Sequence, residues 1–234
     1  MPSKKYWANL TNKFLDEHKK KNSIHTVYIQ GVKFEIFPGV FSPSISSDTS
    51  WFAKVVLLHI QGKDFLEIGA GSGVISCLAE INGAKSVTAT DINLKAVQNL
   101  KLNRKNLDLR FEVFSGDLFS PINKNSKYDV IFWNHPFNFI ETKTPKTDEL
   151  SLSVFDFEYT SLKKFFKEGK KHLKPNGALL LGTGNIARIN LIKKFAAENR
   201  YDMKLEAKTI VPIYENKSSK MDLRLYSFKF NEAL

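Results

Sequence analysis

Phe65-Leu66-Glu67-Ile68-Gly69-Ala70-Gly71-Ser72-Gly73 runs from an apolar strand into three alternating glycines and then into a helix. Glycine tolerates left-handed backbone and carries no Cβ. Such a strand–turn–helix therefore lets the main chain approach a ligand, with helix N–H groups pointing at it. The G-x-G-x-x-G spacing that seats a pyrophosphate is not matched, because the glycines fall at 69, 71 and 73 and an acid, Glu67, lies inside the strand. On its own the turn also reads as a tight connection that binds nothing.

The stations downstream give it a meaning. Val87-Thr88-Ala89-Thr90 is a β-prone run ending at Asp91-Ile92, 22 residues after Gly69. An acid at that distance, at the end of a second strand, can accept hydrogen bonds from both hydroxyls of a ribose. A third run, Phe111-Glu112-Val113-Phe114-Ser115, leads into Gly116-Asp117-Leu118. A single acid of this kind is usually a loop or cap residue; three stations in order, the glycine turn, Asp91 and Asp117, each at a strand end, form a pattern.

A fourth apolar run, Tyr128-Asp129-Val130-Ile131-Phe132-Trp133, ends in Asn134-His135-Pro136-Phe137. An amide nitrogen or an exocyclic base amine is a poor nucleophile because its lone pair is delocalised. To attack, it must be held in line with its hydrogens drawn toward acceptors. The Asn134 side-chain oxygen and the His135 backbone carbonyl can take one N–H each, which is positioning rather than strong base catalysis. Pro136 fixes the turn and restricts His135 to extended geometry, and Phe137 offers a flat apolar face for a base or carboxamide.

The Glu67-x-Gly69-x-Gly71-x-Gly73 form resembles motif I of class I S-adenosylmethionine (AdoMet) methyltransferases. Asn134-x-Pro136-Phe137 resembles the Asn/Asp-Pro-Pro-Tyr/Phe turn of the amino-methyltransferases. That group holds adenine methylases, HemK-like release-factor glutamine methyltransferases and small-domain ribosomal RNA guanine methyltransferases. The resemblance spans roughly residues 36 to 230. It implies AdoMet as cofactor, held by Glu67, Gly69, Ala70, Gly71, Gly73, Asp91, Ile92, Asp117, Leu118 and Asn134, with Asp117 facing the adenine amine. It implies methyl transfer to a planar NH2 nitrogen at Asn134, His135, Pro136 and Phe137. One position departs: His135 stands where the family usually has proline. The backbone carbonyl is retained, the turn is looser, and an ionisable ring lies near the acceptor, either as packing or as a proton acceptor.

Strands alternating with helices predict an α/β fold with a Rossmann-like, seven-stranded, mostly parallel sheet. The resemblance adds an antiparallel final strand, with helices on both faces. The expected strands are 64–68, 86–90, 110–114, 128–133, 178–182 and a closing pair near 203–211 and 222–230. The expected helices are 48–60, 72–82, 93–104, 160–173 and 186–199. Residues 1–45 are expected to form an extension, a polar helix over 3–21 and a hairpin around Gln30-Gly31, ahead of a methyltransferase domain over 46–234. Pro38-Gly39-Val40-Phe41-Ser42 resembles the loop before the cofactor domain of the ribosomal RNA enzymes. The insert 138–159 resembles in length that of the glutamine methyltransferases. Its alternating run Val154-Phe155-Asp156-Phe157-Glu158-Tyr159 is expected to join the sheet edge, with a lid as the alternative.

Composition narrows the setting. With 234 residues and 42% hydrophobic content the chain can bury a full core. It has no 18-residue apolar stretch or signal-peptide core, so no membrane partner is expected. A lone cysteine, Cys77, excludes an internal disulfide framework and fits a cytoplasmic location. The five histidines lack metal-ligand spacing, so no metal is expected. The net charge of +11 is uneven: 7 basic against 3 acidic residues over 1–35, 12 against 14 over 36–160, and 16 against 7 over 161–234. A row of lysines (163, 164, 167, 170, 171, 174) should face solvent on the helix at 160–173, where it would attract phosphates or ribosomal particles. The leading expectation is methylation of an exocyclic base amine in RNA or DNA. The alternatives are a glutamine of a translation factor, a small molecule, or a non-catalytic AdoMet-binding module. The oligomeric state stays open.

Overall fold

The computed structural model describes residues 4–141, 148–212 and 220–231. In chain order the elements are α1 (Lys4–Lys20), β1 (His25–Ile29), β2 (Val32–Ile36), α2 (Asp48–Val56), β3 (Asp64–Ile68), α3 (Val74–Ile81), β4 (Ser86–Asp91), α4 (Leu94–Asn106), β5 (Glu112–Ser115) and β6 (Tyr128–Asn134). They continue with β7 (Asn138–Ile140), β8 (Phe155–Phe157), α5 (Thr160–Gly169), β9 (Leu173–Gly184), α6 (Ile189–Glu198), β10 (Tyr201–Pro212) and β11 (Lys220–Phe230). Seven strands form one sheet in the order β10-β11-β9-β6-β3-β4-β5. Its strands run parallel except β11, which is antiparallel to both neighbours. The Rossmann-like sheet with an antiparallel final strand is therefore present.

The apolar run of β6 shows why the sheet is buried on both faces. Val130 and Phe132 enter a core shared with α2, α3 and the β1–β2 hairpin, while Ile131 and Trp133 enter a second core with α5 and α6. Alternate side chains thus serve opposite faces, and a doubly covered parallel strand reads as continuously hydrophobic. From β3 the chain steps outward through β4 and β5, then returns on the other side of β3 at β6. That reversal opens a crevice at the carboxyl ends of β3 and β6, the usual ligand position in open α/β sheets.

The hairpin is fastened by two asparagines one turn apart on α4. Asn99 and Asn103 are both buried. The Glu35 N–H donates to Asn103 Oδ1 and the Phe37 N–H to Asn99 Oδ1, each at 2.9 Å. Both side-chain amides donate back to the Glu35 carbonyl, at 2.6 and 2.9 Å. The i, i+4 spacing puts them on one helix face, where they act as a substitute strand for the edge of β2.

Some expected boundaries move. α2 ends at Val56 and α5 at Gly169, each passing into a short 3-10 turn, and β9 extends from Leu173 to Gly184. The run around 155–157 does not join the sheet edge. It is β8, which pairs in parallel with β7 in a separate two-stranded sheet. The cause is topological: the insert leaves from β6, an interior strand, and the Asn138 N–H donates to the Val154 carbonyl at 3.1 Å, holding the segment above the strand ends. Among the described residues no helix is long and apolar enough to cross a membrane.

Candidate active site

The glycine turn at the end of β3 works by conformation and by space. Gly73 has φ +81°, and a Cβ there would lie 2.5 Å from Leu100 Cγ, so the turn packs closely on α4. Gly71 also has positive φ, but a Cβ would meet nothing within 4 Å. Its N–H donates to Asp91 Oδ2 at 2.7 Å, and the Asn93 N–H donates to Oδ1 at 2.8 Å. Asp91 is thereby fixed at the end of β4, and each oxygen keeps further acceptor capacity. Burial raises its pKa against the pull of those N–H groups. Glu67 lies under the turn, accepts a short hydrogen bond from the Ser76 hydroxyl, and is pushed by burial to a pKa of about 8.

A cavity of about 280 Å³ opens over these groups, and every residue named from the motifs lines it except Gly73. Asp117 reaches it too, but its carboxylate is ion-paired with Lys164 of α5 at 2.7 Å. Among the described residues no group of three His, Cys, Asp or Glu side chains converges as metal ligands.

The Asn134–Phe137 turn forms the opposite wall. Asn134 Nδ2 donates to Asp48 Oδ2 at 3.3 Å, while Asn134 Oδ1 and Asp48 Oδ1 are buried without a partner. In register with Asn134 on β9 is Gly182, where a Cβ would sit 3.1 Å from Asn134 Oδ1. Burial drives the Asp48 carboxyl upward in pKa, opposed by Ser46, Thr49 and the Asn134 amide. Sequence reasoning placed Asp48 only as the first residue of the helix expected over 48–60. Nothing local marks it, since its partner is 86 positions away.

His135 is 1% exposed, with its ring packed among Trp133, Phe137 and Tyr159. Nε2 is paired with the Thr183 hydroxyl at 2.9 Å. Burial lowers its pKa to about 3, with a smaller opposing contribution from the Pro136 backbone. The ring is thus a neutral packing group. A base that weak would take up little proton near neutral pH.

The part that α1 plays in the roof was not legible in the sequence, whereas the run at 154–159 had a lid as its alternative reading. Leu10, Thr11 and Phe14 of α1 face the cavity together with Phe41, Leu150 and Val154. The Thr11 hydroxyl donates to Asn138 Oδ1 at 3.3 Å, and Lys19 pairs with Asp148 at 2.9 Å, joining α1 to the insert. The described lining carries Asp48, Glu67, Asp91, Asp117 and Glu149, and no lysine or arginine. On α5 the expected apolar face is buried, but several of the lysines on it and just after it are engaged. Lys164 pairs with Asp117, Lys163 lies over the Phe195 ring, Lys170 lies over the Phe230 ring, and Lys174 bridges Asp64 and Asp129.

The methyltransferase small domain family matches residues 31–195. The chain belongs to that family. This small-domain methyltransferase is 30% identical over 196 residues to a Methanocaldococcus jannaschii protein whose name proposes protein N5-glutamine methyltransferase activity, covering 81% of this chain and 94% of the relative. It is 31% identical to the release factor glutamine methyltransferase of Aquifex aeolicus, covering 74% of this chain and 66% of that one. With the ribosomal RNA small subunit methyltransferase C of Haemophilus influenzae it shares 28% identity over 61% of this chain and only 38% of the relative. Among solved structures, the T. thermophilus 16S rRNA N2 G1207 methyltransferase in complex with AdoMet and guanosine superposes with a TM-score of 0.63. That match has 16% identity and covers 89% of this chain and half of that one. The small-domain methyltransferase therefore spans nearly the whole archaeal relative but half or less of the ribosomal RNA enzymes.

Proposed function

We propose that this methyltransferase transfers a methyl group from AdoMet to the side-chain carboxamide nitrogen of a glutamine in a cytoplasmic protein of the translation machinery. The cofactor is AdoMet, which when bound supplies an electrophilic sulfonium methyl. The residues fit it: Gly71 leaves open space at the turn, Asp91 is anchored with acceptor capacity to spare for ribose hydroxyls, and Glu67 is a buried acid that a ligand's positive charge would compensate. Asp117 and Leu118 border the side assigned to the adenine, and Asn134, His135, Pro136 and Phe137 border the acceptor.

One observation carries the choice of acceptor. Its wall offers two buried, unpartnered oxygens, Asn134 Oδ1 and Asp48 Oδ1, in a cavity whose described lining holds acids and apolar side chains but no lysine or arginine. A carboxamide NH2 presents two hydrogens and no charge, so it meets those oxygens without electrostatic cost. A nucleotide brings phosphates, which need nearby cations. Asn134 Oδ1 would take one of the two hydrogens and either Asp48 Oδ1 or the His135 carbonyl the other, and the nitrogen releases its proton after transfer, when it is far more acidic. The 30% identity to the archaeal relative, over 94% of its length, points the same way.

A second reading, the exocyclic amine of a base in RNA, is favoured by the net charge of +11 and by the exposed Lys163 and Lys167 of α5 and Lys170 and Lys171 of the turn after it. Labelling cell extract with radioactive AdoMet and the enzyme separates the two. Label removed by protease, and found as methylglutamine after digestion, supports the glutamine reading. Label removed by nuclease transfers the assignment to RNA.

A further inference from the structure

The Asn/Asp-Pro-Pro-Tyr/Phe turn that this segment resembles has proline at its second position, where this chain has His135. The structure supplies other restraints at the same place. His135 Nε2 pairs with the Thr183 hydroxyl of β9, and Thr183 is wholly buried. Two residues on, the Phe137 carbonyl accepts a hydrogen bond from the Tyr159 hydroxyl at 2.7 Å. That hydroxyl is in turn held by the Arg188 N–H at 3.1 Å. Tyr159 is also wholly buried, and its ring meets the His135 ring edge-on at 5.8 Å. Its backbone is left-handed, with φ +51°, a conformation that a bulky residue adopts only when its surroundings demand it.

We infer that Thr183 and Tyr159 are positioning residues for methyl transfer, clamping the Asn134–Phe137 turn on either side of Pro136 in place of the restraint a second proline would impose. The inference rests on the methyltransferase reading. Neither residue has to touch the acceptor. Thr183 acts by fixing the rotation of the His135 ring, and with it the peptide that bears the His135 carbonyl. Tyr159 acts by fixing the Phe137–Asn138 peptide, through its bond to the Phe137 carbonyl. The two tethers come from separate elements, β9 and the residue preceding α5. Proline restrains the same backbone through its ring, without a partner.

The test uses the full chain with AdoMet and a glutamine peptide. Thr183→Val and Tyr159→Phe should each lower kcat by about tenfold, the scale of one oriented hydrogen bond, while AdoMet affinity stays within about twofold. Thr183→Ser keeps the hydroxyl and should restore most of the rate. In a His135→Phe background, Thr183→Val should cost nothing further, because its partner is already gone. Loss of AdoMet affinity in step with kcat, or an undiminished Thr183→Val effect in the His135→Phe background, overturns the clamp. If the wild-type enzyme methylates no glutamine peptide, the acceptor assignment fails on its own. The clamp is then read by amide hydrogen exchange at His135, Phe137 and Asn138. Exchange should quicken by about tenfold in both single variants, and unchanged exchange in both overturns it.

Discussion

Asn134 of β6 donates its side-chain amide to the Asp48 carboxyl at the start of α2, across 3.3 Å. The contact fixes the direction of the amide, so that Oδ1 rather than Nδ2 is presented without a partner in the buried wall. Removing that oxygen should affect the chemistry and not the cofactor. Asn134→Ala is expected to retain AdoMet affinity within about twofold and to lose roughly 100-fold in turnover, the scale for one oriented group at a reacting centre. Calorimetry and single-turnover rates check the two halves, and a parallel loss of both would refute the assignment.

The Asp91 carboxyl makes the opposite prediction. Asp91→Ala should weaken AdoMet binding by about 1.5–3 kcal/mol, the range for charge-assisted hydrogen bonds. It also unpairs the Gly71 and Asn93 N–H groups. Unchanged affinity in a titration would remove Asp91 from the cofactor site.

Glu67 should report cofactor binding as a proton. Burial holds its pKa near 8, so at pH 7 the free enzyme keeps it mostly protonated. A cationic ligand lowers that pKa, so binding should release protons. The measured enthalpy should then change with the ionisation heat of the buffer, and Glu67→Gln should abolish the change. The folded pKa lies above the unfolded value, so this group's share of stability is full below pH 4.5 and is lost as the pH rises toward 8.

His135 has the reverse sign. Its folded pKa of about 3 lies below its ordinary 6.5, so the unfolded chain takes up the proton first as the pH falls. Its contribution is intact above pH 6.5 and is lost toward pH 3, at up to about 1.4 kcal/mol per pH unit. Thermal unfolding at pH 7 and pH 5 should show a larger drop for wild type than for His135→Phe. The pH–rate profile near 6.5 should be the same in both; a limb that disappears in the variant would make the imidazole a catalytic group.

The asparagine pair on α4 gives a stability prediction far from the chemistry. Asn99→Ala leaves the part-buried Phe37 N–H unpaired and Asn103→Ala the Glu35 N–H, and each should cost about 1–3 kcal/mol. Urea unfolding measures this, and a change within about 0.3 kcal/mol would show that water or a rearranged hairpin satisfies those groups.

The order of elements was readable because each carries its own period. β6 is an unbroken apolar run covered on both faces, and α5 places Leu162, Phe165, Phe166 and Gly169 on one buried side. The strand-end positions Asp91, Asp117 and Asn134 were readable for the same reason, since a strand's end is a local event. The fate of 155–157 was not, because alternation fits any half-buried strand and does not name its partner. The row of lysines on α5 was visible as charge, but the Lys164–Asp117 and Lys174–Asp129 pairs that engage it join residues 47 and 45 positions apart.

The sequence by itself determined the sheet class, the glycine turn, the acids Asp91 and Asp117 at strand ends and the Asn-x-Pro-Phe turn, because these depend on spacing within short segments. The tertiary structure alone decided what surrounds them. It set Asp48 against Asn134, laid α1 and the described residues of the insert over the cavity, and buried His135 against Thr183 so that its imidazole remains neutral. Those outcomes depend on desolvation and on contacts between segments distant in sequence, and neither is encoded in local order.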